Sequence, residues 1–71
     1  MFARELAAAI DRFLDGLPAE DRFLFMRRYW YAEPLSGIAS MAGLSPGAAA
    51  ARLHRVRKKL KNYLKKEGVL V

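Results

Sequence analysis

The last twenty residues carry eight cationic side chains, Arg52, Arg55, Arg57, Lys58, Lys59, Lys61, Lys65 and Lys66, against a single acid, Glu67. That is a local charge of +7 in a 71-residue chain whose total is +6. Residues 1–33 hold five arginines and six acids, Glu5, Asp11, Asp15, Glu20, Asp21 and Glu33, and residues 34–51 hold no charge. Guanidinium and ammonium groups packed this densely pair with a polyanion. Nucleic acid is the first expectation and an anionic membrane surface the second.

Other chemistries find little to work with. There is no cysteine, so no thiolate can attack a substrate or hold zinc, and no disulfide can staple the fold. His54 is the single histidine. No carboxylates cluster near it, so no metal site is expected. Among so many cations it reads as a neutral groove or surface residue rather than a proton switch. Ser36, Ser40 and Ser45 have no base beside them that could activate a hydroxyl. A chain of this length makes one domain and buries only ~60% of its unfolded surface, which leaves little room for a catalytic cleft. No apolar run approaches the ~20 residues of a membrane span, and Met1-Phe2-Ala3-Arg4 does not open a signal peptide. The expectation is a non-enzymatic binding domain with no cofactor.

The elements that must position the cations are helices. Twelve alanines, no threonine and no alternating runs argue against sheet. Pro18, Pro34 and Pro46 each precede a helical pattern, and Gly16, Gly43 and Gly68 stand where helices stop. Four helices follow, an all-α domain. The first runs from about Ala3 to Asp15, with Leu6, Ile10, Phe13 and Leu14 on one face. The second runs from about Pro18 to Tyr31. There Tyr29-Trp30-Tyr31 could stack bases, but beside Phe25 the cluster reads as core. Arg27 and Arg28 fit a DNA contact, a partner-facing patch or a solvated face. The third, Leu35 to Ala42, turns Ile38, Ala39 and Met41 inward. The fourth follows Ser45 and reaches Lys66, with an apolar seam of Ala49, Leu53, Val56, Leu60 and Leu64. The only low-complexity stretch is Ala48-Ala49-Ala50-Ala51. The apolar tail Gly68-Val69-Leu70-Val71 is expected to fold back on the core or to fray.

Gly43-Leu44-Ser45 joins the third and fourth helices in the manner of a helix-turn-helix, here residues 34–60. Ala39 permits a close crossing, Gly43 can take a positive φ, Leu44 drops between the helices and Ser45 caps the next one. At about 100° per residue, the face opposite the seam carries Gly47, Ala51, His54 and Lys58. Ala50 and Lys61 flank it on one side and Arg55 on the other. Recognition helices place their first turns on base edges and later residues on the backbone. Gly47, Ala50, Ala51, His54 and Arg55 are therefore the base-proximal candidates, and Arg52, Arg57, Lys58, Lys59 and Lys61 the phosphate candidates. With no glutamine and a single asparagine, Asn62, hydrogen-bonded readout rests on Arg55, with Arg52 and His54, or on DNA shape. Affinity should exceed specificity.

From Leu17 onward the chain resembles region 4 of the sigma-70 superfamily, the bacterial transcription initiation factors, and most of all the extracytoplasmic-function type. The landmarks are Leu17-Pro18-Ala19-Glu20-Asp21-Arg22, Phe25, Arg27-Arg28-Tyr29-Trp30, Ile38-Ala39, Gly43-Leu44-Ser45 and the string Arg52-Leu53-His54-Arg55-Val56-Arg57-Lys58-Lys59-Leu60. The resemblance implies a cytoplasmic domain, spanning 1–71, that binds the double-stranded promoter −35 element. It also implies docking on the β flap of RNA polymerase through the second helix and its turn, and an anti-sigma factor is a further implied partner. Ala50, Ala51 and Arg55 fall where the family reads bases, and Arg52 among its backbone contacts. The family usually has polar or basic residues where this chain has Gly47, Ala48, Ala50 and Ala51, and commonly a charge at Gly37. Region 2, which melts the promoter, does not fit in 71 residues, so the length favours a domain of a longer factor over a stand-alone one.

Two readings compete with a promoter-binding module. One is a degenerate region 4 that mainly docks on polymerase or an anti-sigma factor. The other is a two-component-type helix-turn-helix regulator, disfavoured by the long basic fourth helix. Membrane binding is disfavoured too, because the seam is narrow and lacks Trp or Phe at its rim.

Overall fold

The structure, a computed structural model, describes residues 2–68. The expectation for the apolar tail falls on residues 69–71, outside that range. Helix α1 spans Phe2–Asp15, α2 Ala19–Phe25, α3 Leu35–Ala42 and α4 Pro46–Lys66, and α2 continues into a π-helical turn at Met26–Trp30. No strand occurs among the described residues.

Local sequence sets most of these bounds. Past Asp15 the chain turns through Gly16, whose N–H donates to the Phe13 carbonyl at 3.1 Å. Leu17 then plunges inward as a buried anchor. Pro18 and Pro34 occupy the N-cap positions of α2 and α3 with extended ψ values of 146° and 144°. Their carbonyls accept the first helical bonds, from Arg22 at 3.0 Å and Ile38 at 3.2 Å. Gly43 ends α3 in the left-handed region at φ 70°. Its N–H bonds to Ser40 at 3.2 Å, and the Leu44 N–H reaches back to Ala39 at 2.8 Å. These paired bonds satisfy the last carbonyls of α3 and reverse the chain within two residues.

Leu24 of α2, Ile38 of α3 and Leu53 of α4 form the core, with Phe23, Leu35, Ala42 and Leu44 packed around them. Each comes from a different helix, so the core fixes how α3 and α4 cross. α4 is the spine: 21 residues, about 31 Å at 1.5 Å per residue, in a molecule 37 Å long. Its first half meets α2 and α3, and its second half carries α1. There Phe13 packs on Tyr63 with ring centroids 5.5 Å apart, and Arg12 pairs with Glu67 at 3.0 Å. Hydrogen bonding to Tyr63 first, then to Glu67, pushes the Arg12 pKa up. Ala9, fully buried, lets α1 approach closely.

Three expectations are corrected. The second helix does not stay α-helical to Tyr31: after Phe25 it widens, with the Tyr31 N–H bonding to Met26 at 3.2 Å. The Tyr29-Trp30-Tyr31 cluster is not core. Tyr29 is 45%, Trp30 75% and Tyr31 61% exposed. α1 lies against α4 and leaves an open groove between itself and the π turn, so Tyr29 and Trp30 stay exposed along it. Met41 is also outside, 51% exposed. The inward stripe of α3 runs through Leu35, Ile38, Ala39 and Ala42, and Met41 stands about 110° from its centre.

The link from the π turn to α3 is held by Arg27 and Arg28. Arg27 bonds Glu33 at 2.6 Å and its guanidinium lies 5.4 Å from the ring centroids of both Phe23 and Tyr31. Arg28 donates to the Glu33 carbonyl at 3.1 Å. In the link, directly before Glu33, Ala32 sits at φ 54°.

Candidate nucleic-acid interface

The interface is built on α4. Ser45 starts it: its Oγ accepts from the Ala48 N–H at 3.1 Å, and Pro46 follows at the first helical position, where no N–H is needed. The Ser45 hydroxyl thus serves the helix. Ala49, Leu53, Val56 and Leu64 are buried and Leu60 is half-buried, so the seam turns inward along its whole length.

That orientation puts Gly47, Ala50, Ala51, His54 and Arg55 in solvent, together with Arg57, Lys58, Lys59 and Lys61. The first two turns present methyl groups and bare backbone outward, and the unpaired cations begin with the third. His54, Arg57, Lys58 and Lys61 line one shallow basic depression. A second, beside it, brings Ala50 and Arg57 together with Arg28 and Tyr29 of the π turn. Among the described residues, Arg55, Arg57, Lys58, Lys59 and Lys61 make no ion pair. Five uncompensated cations on one helix leave their charge available to a polyanion.

Arg52 is placed differently. It is half-buried, and its Nη1 lies 2.9 Å from the Glu20 Oε1 and 3.5 Å from the Asp21 Oδ1, both in the first turn of α2. Arg55 and Lys59 line the same groove without reaching these carboxylates. Sequence reasoning missed this juxtaposition. It depends on the crossing of α2 and α4, which no local pattern encodes.

A short helix ended by a left-handed glycine and a serine-capped second helix form a helix-turn-helix whose basic outer face is exposed. The family model described as Sigma-70, region 4, matches residues 7–60, from within α1 to Leu60 of α4. The chain belongs to the sigma-70 region 4 family. Region 4 is a DNA-binding, non-enzymatic part of transcription sigma factors, and such domains interact with DNA and RNA polymerase. No curated protein and no solved structure matches the chain. Residues 61–66, with Lys61, Lys65 and Lys66, extend the basic helix past the matched region.

Proposed function

We propose that this region 4 domain binds the −35 element of bacterial promoters with α4 in the major groove and docks on the β flap of RNA polymerase. The observation that carries the reading is the outward face of α4. Base-proximal Gly47, Ala50, Ala51, His54 and Arg55 precede the cations of its middle turns on one exposed surface. Ser45 closes the helix start where a phosphate would approach. Arg57, Lys58, Lys59 and Lys61 hold the backbone, and Arg55 supplies the hydrogen-bonded base contact. The exposed aromatics of the π turn favour polymerase docking as a second contact. With Ile10, Leu14, Phe25 and Met26 they line an apolar groove of about 460 Å³, on the surface the resemblance assigns to that contact.

Titration of promoter and scrambled duplexes across salt tests the reading. Each phosphate neutralised contributes about −0.9 to the slope of log K against log salt. A steep slope with a preference for promoter sequence is expected. A flat response overturns DNA binding. A steep slope with no preference moves the function to protein interaction, with the bare first turns of α4 holding DNA without reading it.

A further inference from the structure

We propose that Glu20 and Asp21 hold Arg52 off DNA, so that Arg52 braces α4 while the acidic pair marks one edge of the duplex footprint. The inference rests on the DNA-binding reading above and adds a boundary to it. Arg52 lies level with Ala51 and Arg55 along α4, where a cation would ordinarily reach a phosphate. Instead its guanidinium bridges two carboxylates, at 2.9 Å and 3.5 Å. One positive charge between two negative ones leaves the cluster with a net charge of −1. A phosphate approaching Arg52 finds its guanidinium already engaged by carboxylates rather than a free donor. The first turn of α2 is a favourable seat for both carboxylates, because the helix dipole is positive there. Arg55 and Lys59, three and seven residues further on, line the same groove and are exposed. Free cations therefore begin where the acidic pair ends. The opposite flank of α4, with His54, Arg57, Lys58 and Lys61, faces no carboxylate in its shallow depression. The duplex is expected to reach from Arg55 and Lys59 across to that flank, with Arg52 outside it.

The test compares duplex binding across salt for the 71-residue chain and for R52A, E20Q/D21N and the triple variant, with folding checked by helicity. The two amides keep the shape of the carboxylates, so the fold is retained. R52A should leave the salt slope unchanged, because Arg52 makes no phosphate contact. E20Q/D21N should steepen it by about 0.9, the increment of one added contact, as freed Arg52 reaches the backbone. The triple variant should return to the original slope. A triple variant as steep as E20Q/D21N overturns the proposal, since Arg52 would then have no part in the gain. A slope reduced by about 0.9 in R52A overturns it as well, while leaving DNA binding intact. A flat response in the unaltered chain overturns the DNA-binding reading and the footprint edge with it. The brace is read separately from thermal melts: R52A and E20Q/D21N should destabilise less in combination than the two losses added together.

Discussion

Arg55 and Lys59 stand one turn apart on the same flank of α4, and their substitutions should separate choosing a sequence from holding one. Arg55 is the one base-proximal side chain able to make a bidentate contact. Arg55→Ala is expected to relax discrimination by about 1–3 kcal/mol at the base pair it reads. Lys59→Ala should weaken promoter and scrambled duplexes alike and lower the salt slope by about one. Competition binding on both duplexes distinguishes the two outcomes. A third residue bears on stability alone. Ala32 is exposed and holds φ 54°, a left-handed conformation that costs an L residue about 1–2 kcal/mol. Ala32→Gly removes that cost and returns part of it as chain freedom, so a net gain of up to about 1 kcal/mol is expected in urea melts.

At the scale of the element, α3 is a short helix of eight residues. Gly37 lies inside it, and a Cβ there would meet only the Pro34 side chain, at an unstrained 3.9 Å. Gly37→Ala should therefore stabilise the domain by about 0.5–1 kcal/mol and raise Tm by about 4–8 °C per kcal/mol. Ser45→Ala should act in the other direction, by about 1 kcal/mol, through loss of the α4 cap. Differential scanning calorimetry on the two variants reads both. The bounds of α1, α3 and α4 were legible because proline, glycine and serine punctuate them. The π turn was not. A change from i+4 to i+5 bonding leaves no mark in residue type, and Met26-Arg27-Arg28-Tyr29-Trp30 is as good an α-helical string as any. The same turn explains why a cluster of three aromatics gave a false core signal. Helical spacing shows which residues share a face, but not whether another helix covers it.

At the scale of the molecule, the orientation of α4 was readable and its contacts with the other helices were not. The apolar seam and the run of cations sit on one helix, so the sequence alone orients that helix. The Arg52 bridge and the groove beside the π turn both arise where two helices meet, and their residues lie far apart in the chain. Arg52 at position 52 and Glu20 at position 20 carry no sign of each other. The bare start of α4 has a consequence for the chemistry of the DNA itself. With α4 in the major groove as proposed, exposed Ala50 and Ala51 would offer methyl groups there, and the matching feature on a base is the C5 methyl of thymine. Uracil lacks that methyl and keeps every hydrogen-bonding group. Uracil in place of thymine across the −35 element should thus weaken binding, whereas a recognition helix that read only amides and guanidinium partners would not register the exchange. 5-Methylcytosine carries the same methyl, so this helix face is also placed to sense whether a cytosine in its site has been methylated.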